Sequence, residues 1–316
     1  MDFSMLARFQ IPKIDFSDIE WPRFDFSKIQ WSRMPKLRIG DSVARLPIVQ
    51  GGMGVGISLS GLASAVANEG GIGVIAANSI GMLDPEYYAT HKDANVIALR
   101  TEIRKTQEMS SGIIGVNIMV AVHDFHALLT VAIEEKVDMV FLGAGLPVKG
   151  IPVEDLRSAG VKVVPIVSSA RAARLIFSSW LKRYEDIPDA VVVEGPKAGG
   201  HLGFKAEQID DPDFALEQIL PEVVAEVKGY EEKLRRTIPV LAAGGVFTGT
   251  DIYNVFKLGA SGVQMGTRFV ATHECDADIR FKESYVACSE DDIEIIKSPV
   301  GMPGRAIKSS FLKDVS

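Results

Sequence analysis

The chain has 316 residues, 47% of them hydrophobic and 24% charged, so it can bury a large core and is not expected to be disordered over most of its length. Its 34 basic residues are outnumbered by 41 acidic ones, giving a formal net charge of -7. This balance argues against nucleic acid or anionic lipid as a partner, because no global attraction to phosphate exists. Cys275 and Cys288 are the only cysteines and form no CxxC pair, so neither a disulfide framework nor a metal site is expected. A reducing, cytoplasmic location is the expectation, with no signal peptide and no membrane span, since no run of 18 apolar residues occurs.

Residues 1–40 read as an N-terminal extension ahead of a domain at 41–316. They contain a ten-residue repeat: Pro12-Lys13-Ile14-Asp15-Phe16-Ser17-Asp18-Ile19-Glu20-Trp21 returns as Pro22-Arg23-Phe24-Asp25-Phe26-Ser27-Lys28-Ile29-Gln30-Trp31. Two copies are too few for a solenoid. The expected role is an arm whose aromatic residues dock on the domain or on a neighbouring subunit of a homo-oligomer.

From residue 46 onward, short β-branched runs alternate with helical stretches, the pattern of parallel βα units. The runs are 47–50, 73–76, 114–118, 138–142, 162–167, 190–194, 238–243 and 262–265. Eight such runs predict a closed (β/α)8 TIM barrel. A doubly wound open sheet shares the alternation, and the count of eight together with the strand-end residues favours the barrel. Between the first two runs, Leu59, Leu62, Ala63, Val66 and Ala67 share one helix face, with Ser58 as the expected N-cap and Gly70-Gly71 as the stop. In the seventh unit, Thr250 or Asp251 is the expected cap of a helix that presents Ile252, Val255 and Phe256. The sixth run is followed by an inserted segment, 204–236, with a charged helical stretch from Glu222 to Arg236; its length suits a lid.

In a barrel, chemistry gathers where strands end. The first run ends in Gln50-Gly51-Gly52-Met53, small residues that let a flat ring approach backbone N–H groups. Asn117 ends the third run, where an amide can both donate and accept. Ala243-Gly244-Gly245 follow the seventh run, and Gln264-Met265-Gly266-Thr267 lie at the eighth. The loops after strands 7 and 8 form the usual phosphate site of the fold. The sixth run leads into Glu194-Gly195-Pro196-Lys197-Ala198-Gly199-Gly200-His201. There a histidine among glycines has room to act as a general base. The bland readings are ordinary turn glycines, an Asn that closes the barrel top and a histidine that caps backbone groups. His123 and His126 form an HxxH with no third ligand, so no metal is expected there.

These motifs in this order, from Pro47-Ile48-Val49-Gln50-Gly51-Gly52-Met53-Gly54 through Ala198-Gly199-Gly200-His201-Leu202-Gly203 and Ala242-Ala243-Gly244-Gly245 to Gly259-Ala260-Ser261-Gly262-Val263-Gln264-Met265-Gly266-Thr267-Arg268-Phe269, resemble the nitronate monooxygenase (2-nitropropane dioxygenase) family. That family also takes in flavin-type enoyl-acyl-carrier-protein reductases. The resemblance covers about 46 to 312 and implies an FMN-bearing barrel. It implies His201 as catalytic base and a flavin site of Gln50, Gly51, Gly52, Met53, Asn117, Glu194, Gly199, Gly200, Ala243, Gly244, Gly245, Gln264, Met265, Gly266 and Thr267. Lys197 stands where many relatives are expected to carry an acidic residue.

Three functions follow from these expectations. In the first, an alkyl nitronate or nitroalkane is oxidised with O2 to a carbonyl compound and nitrite. In the second, NADH or NADPH reduces FMN, which reduces an enoyl thioester. In the third, a flavin-binding scaffold acts through its N-terminal arm, and the intact His201 loop counts against it.

Overall fold

A computed structural model of the chain describes residues 34–297 and 301–309. The ten-residue repeat, most of the extension and Ser298, Pro299 and Val300 lie outside the described residues.

The domain begins with an antiparallel hairpin, β1 (Leu37–Ile39) and β2 (Ser42–Ala44). Then come β3 (Ile48–Gln50), β4 (Ile72–Ala76), β5 (Ile113–Met119), β6 (Met139–Gly143), β7 (Lys162–Val167) and β8 (Val191–Glu194). After β8, a two-residue strand, β9 (Gly200–His201), leaves the barrel; β10 (Val240–Ala243) and β11 (Gly262–Met265) complete it. The eight barrel strands are parallel, and β11 closes on β3, so this is a (β/α)8 TIM barrel. A second sheet has the order β12 (Ile293–Lys297), β13 (Pro303–Ile307), β9 and is antiparallel.

Barrel closure follows from the side-chain alternation of the strands. Val49, Ile72, Val74, Met139, Phe141, Val164, Ala190, Val192, Leu241 and Ala243 fill the interior in one buried cluster. Gly115 makes room for the largest of them, since a Cβ there would lie 2.8 Å from the Phe141 ring. Leu37, Ile39 and Ala44 join the same cluster. The hairpin therefore plugs the end of the barrel where the strands begin, and Lys162 at the start of β7 pairs with Asp41 in its turn. Each large aliphatic side chain buried this way contributes about 1.5–3 kcal/mol.

The outer layer comprises α1 (Ser60–Asn68), α2 (Pro85–Thr90), α3 (Ala94–Met109), α4 (Phe125–Glu134), α5 (Val153–Ser158) and α6 (Ala170–Tyr184). It continues with α7 (Leu216–Leu234), α8 (Gly249–Lys257), α9 (Thr267–Val270) and α10 (Ile279–Ala287). The expected apolar face of α1 is buried at Leu62, Ala63, Val66 and Ala67, but Ser58 is not its cap. Ser58 Oγ accepts from Met53 N instead, at 2.8 Å. The free N–H groups of Leu59, Gly61 and Leu62 are met by the Asp276 carboxylate, at 2.7, 2.9 and 3.1 Å. On α8 the cap is Thr248, with Asp251 the returning partner of a capping box.

The segment after β8 also differs from expectation. The charged helix begins at Leu216, six residues before Glu222, and runs through Pro221. Burial of Leu216, Ile219, Leu220, Val223 and Val227 offsets the backbone bond that proline cannot make. This helix packs on β8 and β10 as the sixth helix of the barrel, so it is a wall and not a lid. The remainder of the segment, residues 195–215, is the connection that carries β9.

Candidate active site

Strand alternation continues from the core to the mouth. On β5, β8 and β11 the positions in line with the inward-facing residues are Asn117, Glu194 and Gln264. Ala243 of β10 is in register with Glu194 on one side and Gln264 on the other, so Glu194 and Gln264 flank it in one row. The buried Ala243 is the small residue between two long polar side chains. None of the Asn117, Glu194 or Gln264 side chains has a hydrogen-bond partner among the described residues, although all three are half-buried. Their polar atoms stay open to solvent or a ligand, since Arg305 Nε is the one buried side-chain polar atom without a partner among the described residues. Burial pushes the Glu194 carboxyl up to about 7, so near neutrality it can hold or release a proton.

The first loop runs against these residues. Gly51 N donates to Met265 O at 2.9 Å, and a Cβ on Gly51 would sit 3.2 Å from Gln264 Cγ. A Cβ on Gly52 would lie 2.3 Å from Asn117 Cβ. Met53 lies against Gly266, where a Cβ would be 3.3 Å from its sulfur. Gln50 is placed differently from the other residues expected in the site. Its side chain is fully buried and committed to protein, accepting from Val74 N at 3.0 Å and donating to Gly51 O. It thereby extends the β3–β4 ladder, whose own register is a single pair.

On the opposite side, Gly244 and Gly245 have φ of +87° and +88°, values that favour glycine. A Cβ on Gly244 would stand 2.6 Å from Gly195 O, so the loops after β8 and β10 pack backbone to backbone. Gly266 and Thr267 form the start of α9, and Thr267 is exposed with no side-chain bond among the described residues.

His201 is half-buried on β9, likewise with no partner for its ring among the described residues. The strand is held from outside: Gly304 is in register with His201, and Leu202 N donates to Pro303 O at 2.8 Å. Arg305 Nη2 donates to Pro196 O at 3.1 Å, while its buried Nε has no partner. Beneath the loop, a Cβ on Gly203 would be 2.3 Å from Ser168 Oγ, at the end of β7. Gly199 and Gly200 are exposed and face open space. The structural roles of Asp276, Pro303 and Arg305 have no local sequence signature, because their partners lie about a hundred residues or more away in the chain.

The sequence model of the nitronate monooxygenase family matches residues 38–316, nearly the whole described domain. The chain belongs to the nitronate monooxygenase family. A Rhodococcus jostii relative, (3aS,4S,5R,7aS)-5-hydroxy-7a-methyl-1-oxo-octahydro-1H-indene-4-carboxyl-CoA dehydrogenase, is 29% identical over 85% of this chain. The chain spans 64% of the length of that relative. Among solved structures, FabK from Thermotoga maritima superposes with a TM-score of 0.67 at 32% identity, covering 85% of this chain and 73% of FabK. Nitroalkane oxidase from Streptomyces ansochromogenes gives 0.68 at 25% identity, covering 86% and 79%. The family is flavin-dependent, and the relatives named above are oxidoreductases. No helix among the described residues is long and apolar enough to cross a membrane.

Proposed function

We propose that the chain binds FMN across the barrel mouth and oxidises alkyl nitronates, and the nitroalkanes from which they form, with O2 to carbonyl compounds and nitrite. The observation that carries this reading is that Asn117, Glu194 and Gln264 stand at strand ends without protein partners, with Gly51 and Gly52 running close against Gln264 and Asn117. The residues fit the group. Gly51 and Gly52 leave a surface that any Cβ would fill, and the three polar side chains offer donors and acceptors to the edge of a planar ring. Gly244, Gly245, Gly266 and Thr267 offer backbone groups to a phosphate at the place where this fold usually binds one. When bound, FMN supplies the redox centre that takes electrons from substrate and passes them to O2.

The chain's own part is then positioning and proton transfer. His201, with a free imidazole on a tethered strand, removes the proton from the α-carbon of a neutral nitroalkane. Glu194, whose carboxyl burial raises to about 7, would be able to donate a hydrogen bond to the bound ring when protonated. His201→Asn tests the assignment: turnover of neutral nitroalkane should fall by about 10²–10⁴-fold, the usual contribution of a general base, with preformed nitronate far less affected. Equal turnover of neutral substrate by variant and parent would remove His201 from the reaction.

A second reading, oxidation or reduction of an acyl thioester, is favoured by the CoA dehydrogenase named above. Anaerobic mixing separates the two. A nitronate should bleach the bound flavin under the first reading, and NADH or NADPH should do so under an enoyl reductase reading.

A further inference from the structure

We infer that Lys197 is the cationic anchor of the flavin phosphate, reaching it from the loop after the sixth barrel strand. The inference rests on the FMN reading and adds a residue to it. Lys197 is exposed, and its stem lies along the glycine turn that follows β10: a Cβ on Gly245 would be 3.1 Å from Lys197 Cβ and 3.3 Å from its Cδ. This contact is fixed by backbone, since Gly244 abuts both the N and the O of Gly195, two residues before Lys197. The packing of the two loops therefore delivers one ammonium group to the turn that, with Gly266 and Thr267, forms the anion cradle.

The charge is available there. Lys197 is in no ion pair among the described residues, whereas eight other basic side chains are. The carboxylate that feels its charge, Asp251, is already bonded by Phe247 N, Thr248 N and Thr248 Oγ in the α8 capping box. Arg268, in α9 after β11, lies over the Phe247 ring with 4.8 Å between guanidinium carbon and ring centroid. An uncommitted ammonium group beside a glycine turn is the arrangement in which a phosphate gains a charge-assisted bond at little cost in loop strain.

FMN and riboflavin differ only in the phosphate, which makes the test specific. Apoprotein of the full chain is titrated with each flavin, following fluorescence quenching, for the parent, Lys197→Met and Lys197→Arg. The parent should prefer FMN. Lys197→Met should weaken FMN at least about tenfold while riboflavin affinity stays within about twofold, and Lys197→Arg should keep most of the FMN affinity. Lys197→Met binding FMN as the parent does, or losing FMN and riboflavin equally, would overturn the inference. A parent that binds riboflavin as tightly as FMN would instead remove the phosphate reading beneath it.

Discussion

Gly52 runs so close to Asn117 that a Cβ on the glycine would stand 2.3 Å from the asparagine Cβ and 3.0 Å from its Cγ. The clash would be with atoms fixed near the β5 backbone, not with the tip of a flexible side chain, so the neighbour cannot swing aside. The glycine lets the first loop lie close against Asn117. Gly52→Ala should displace that loop, cost about 1–3 kcal/mol by overpacking, and lower the flavin content of the purified protein. Urea unfolding and flavin absorbance check this. Parent-like stability and full flavin content together would show that the contact is relaxed without consequence.

Asp276 joins the site loop to the end of the barrel. Its carboxylate takes three N–H groups at the start of α1, and its own N–H donates to Ile57 O at 3.2 Å. Asp276→Ala leaves those donors unsatisfied, so it should lower unfolding free energy by about 1–3 kcal/mol. Asp276→Asn should lose less, because one acceptor oxygen remains. A urea midpoint unchanged in both variants would mean that water replaces the cap.

Much of the barrel was legible because each strand carries its own signal. The run 162–167 matches β7 at both ends, and 262–265 matches β11. The seventh run was read two residues early, since Ile238 and Pro239 precede β10 and Pro239 has no N–H to give the ladder. Asn117 stood out as a polar residue at the end of an apolar strand, whereas Glu194 and Gln264 came to the site through the family resemblance. That Glu194 and Gln264 flank Ala243 in one row depends on register between strands 6, 7 and 8, which no single segment encodes. Ser58 before α1 was a reasonable local cap, yet the Asp276 carboxylate replaced it. The tether on His201 comes from β13, a hundred residues further along.

Glu194 predicts a pH dependence of stability. Its carboxyl is raised from 4.5 to about 7 by burial, so between those values the folded chain keeps a proton that the unfolded chain has released. Stability from this group is highest below pH 4.5, falls as pH rises through the window and levels off above about 7. The ceiling is roughly 3 kcal/mol at about 1.4 kcal/mol per unit, reduced because the residue is only partly covered. Glu194→Gln should therefore gain on the parent between pH 5 and pH 8 when urea unfolding is compared at both. A stability difference independent of pH would show that Glu194 is ionised throughout.

The strand carrying His201 is set by its partner, because Gly199 and Gly200 add no side-chain packing of their own. β13 supplies the register through Gly304 and Arg305, the bond from Leu202 N to Pro303 O, and the Arg305 guanidinium on Pro196 O at the start of the loop. A hydrogen bond from a charged donor contributes about 1.5–3 kcal/mol, enough to shift local opening by tenfold or more. Arg305→Met should then speed amide hydrogen exchange at Gly200 and Leu202 by at least about tenfold, while exchange in β5 and β6 stays at the parent rate. Flavin content should fall less than turnover of neutral nitroalkane, since Arg305 bonds to Pro196 O and to neither glycine turn directly. Turnover of neutral nitroalkane should fall more than turnover of preformed nitronate, because the proton acceptor has lost its fixed place. Unchanged exchange at Gly200 and Leu202 would show that the strand pairing alone holds His201 in place.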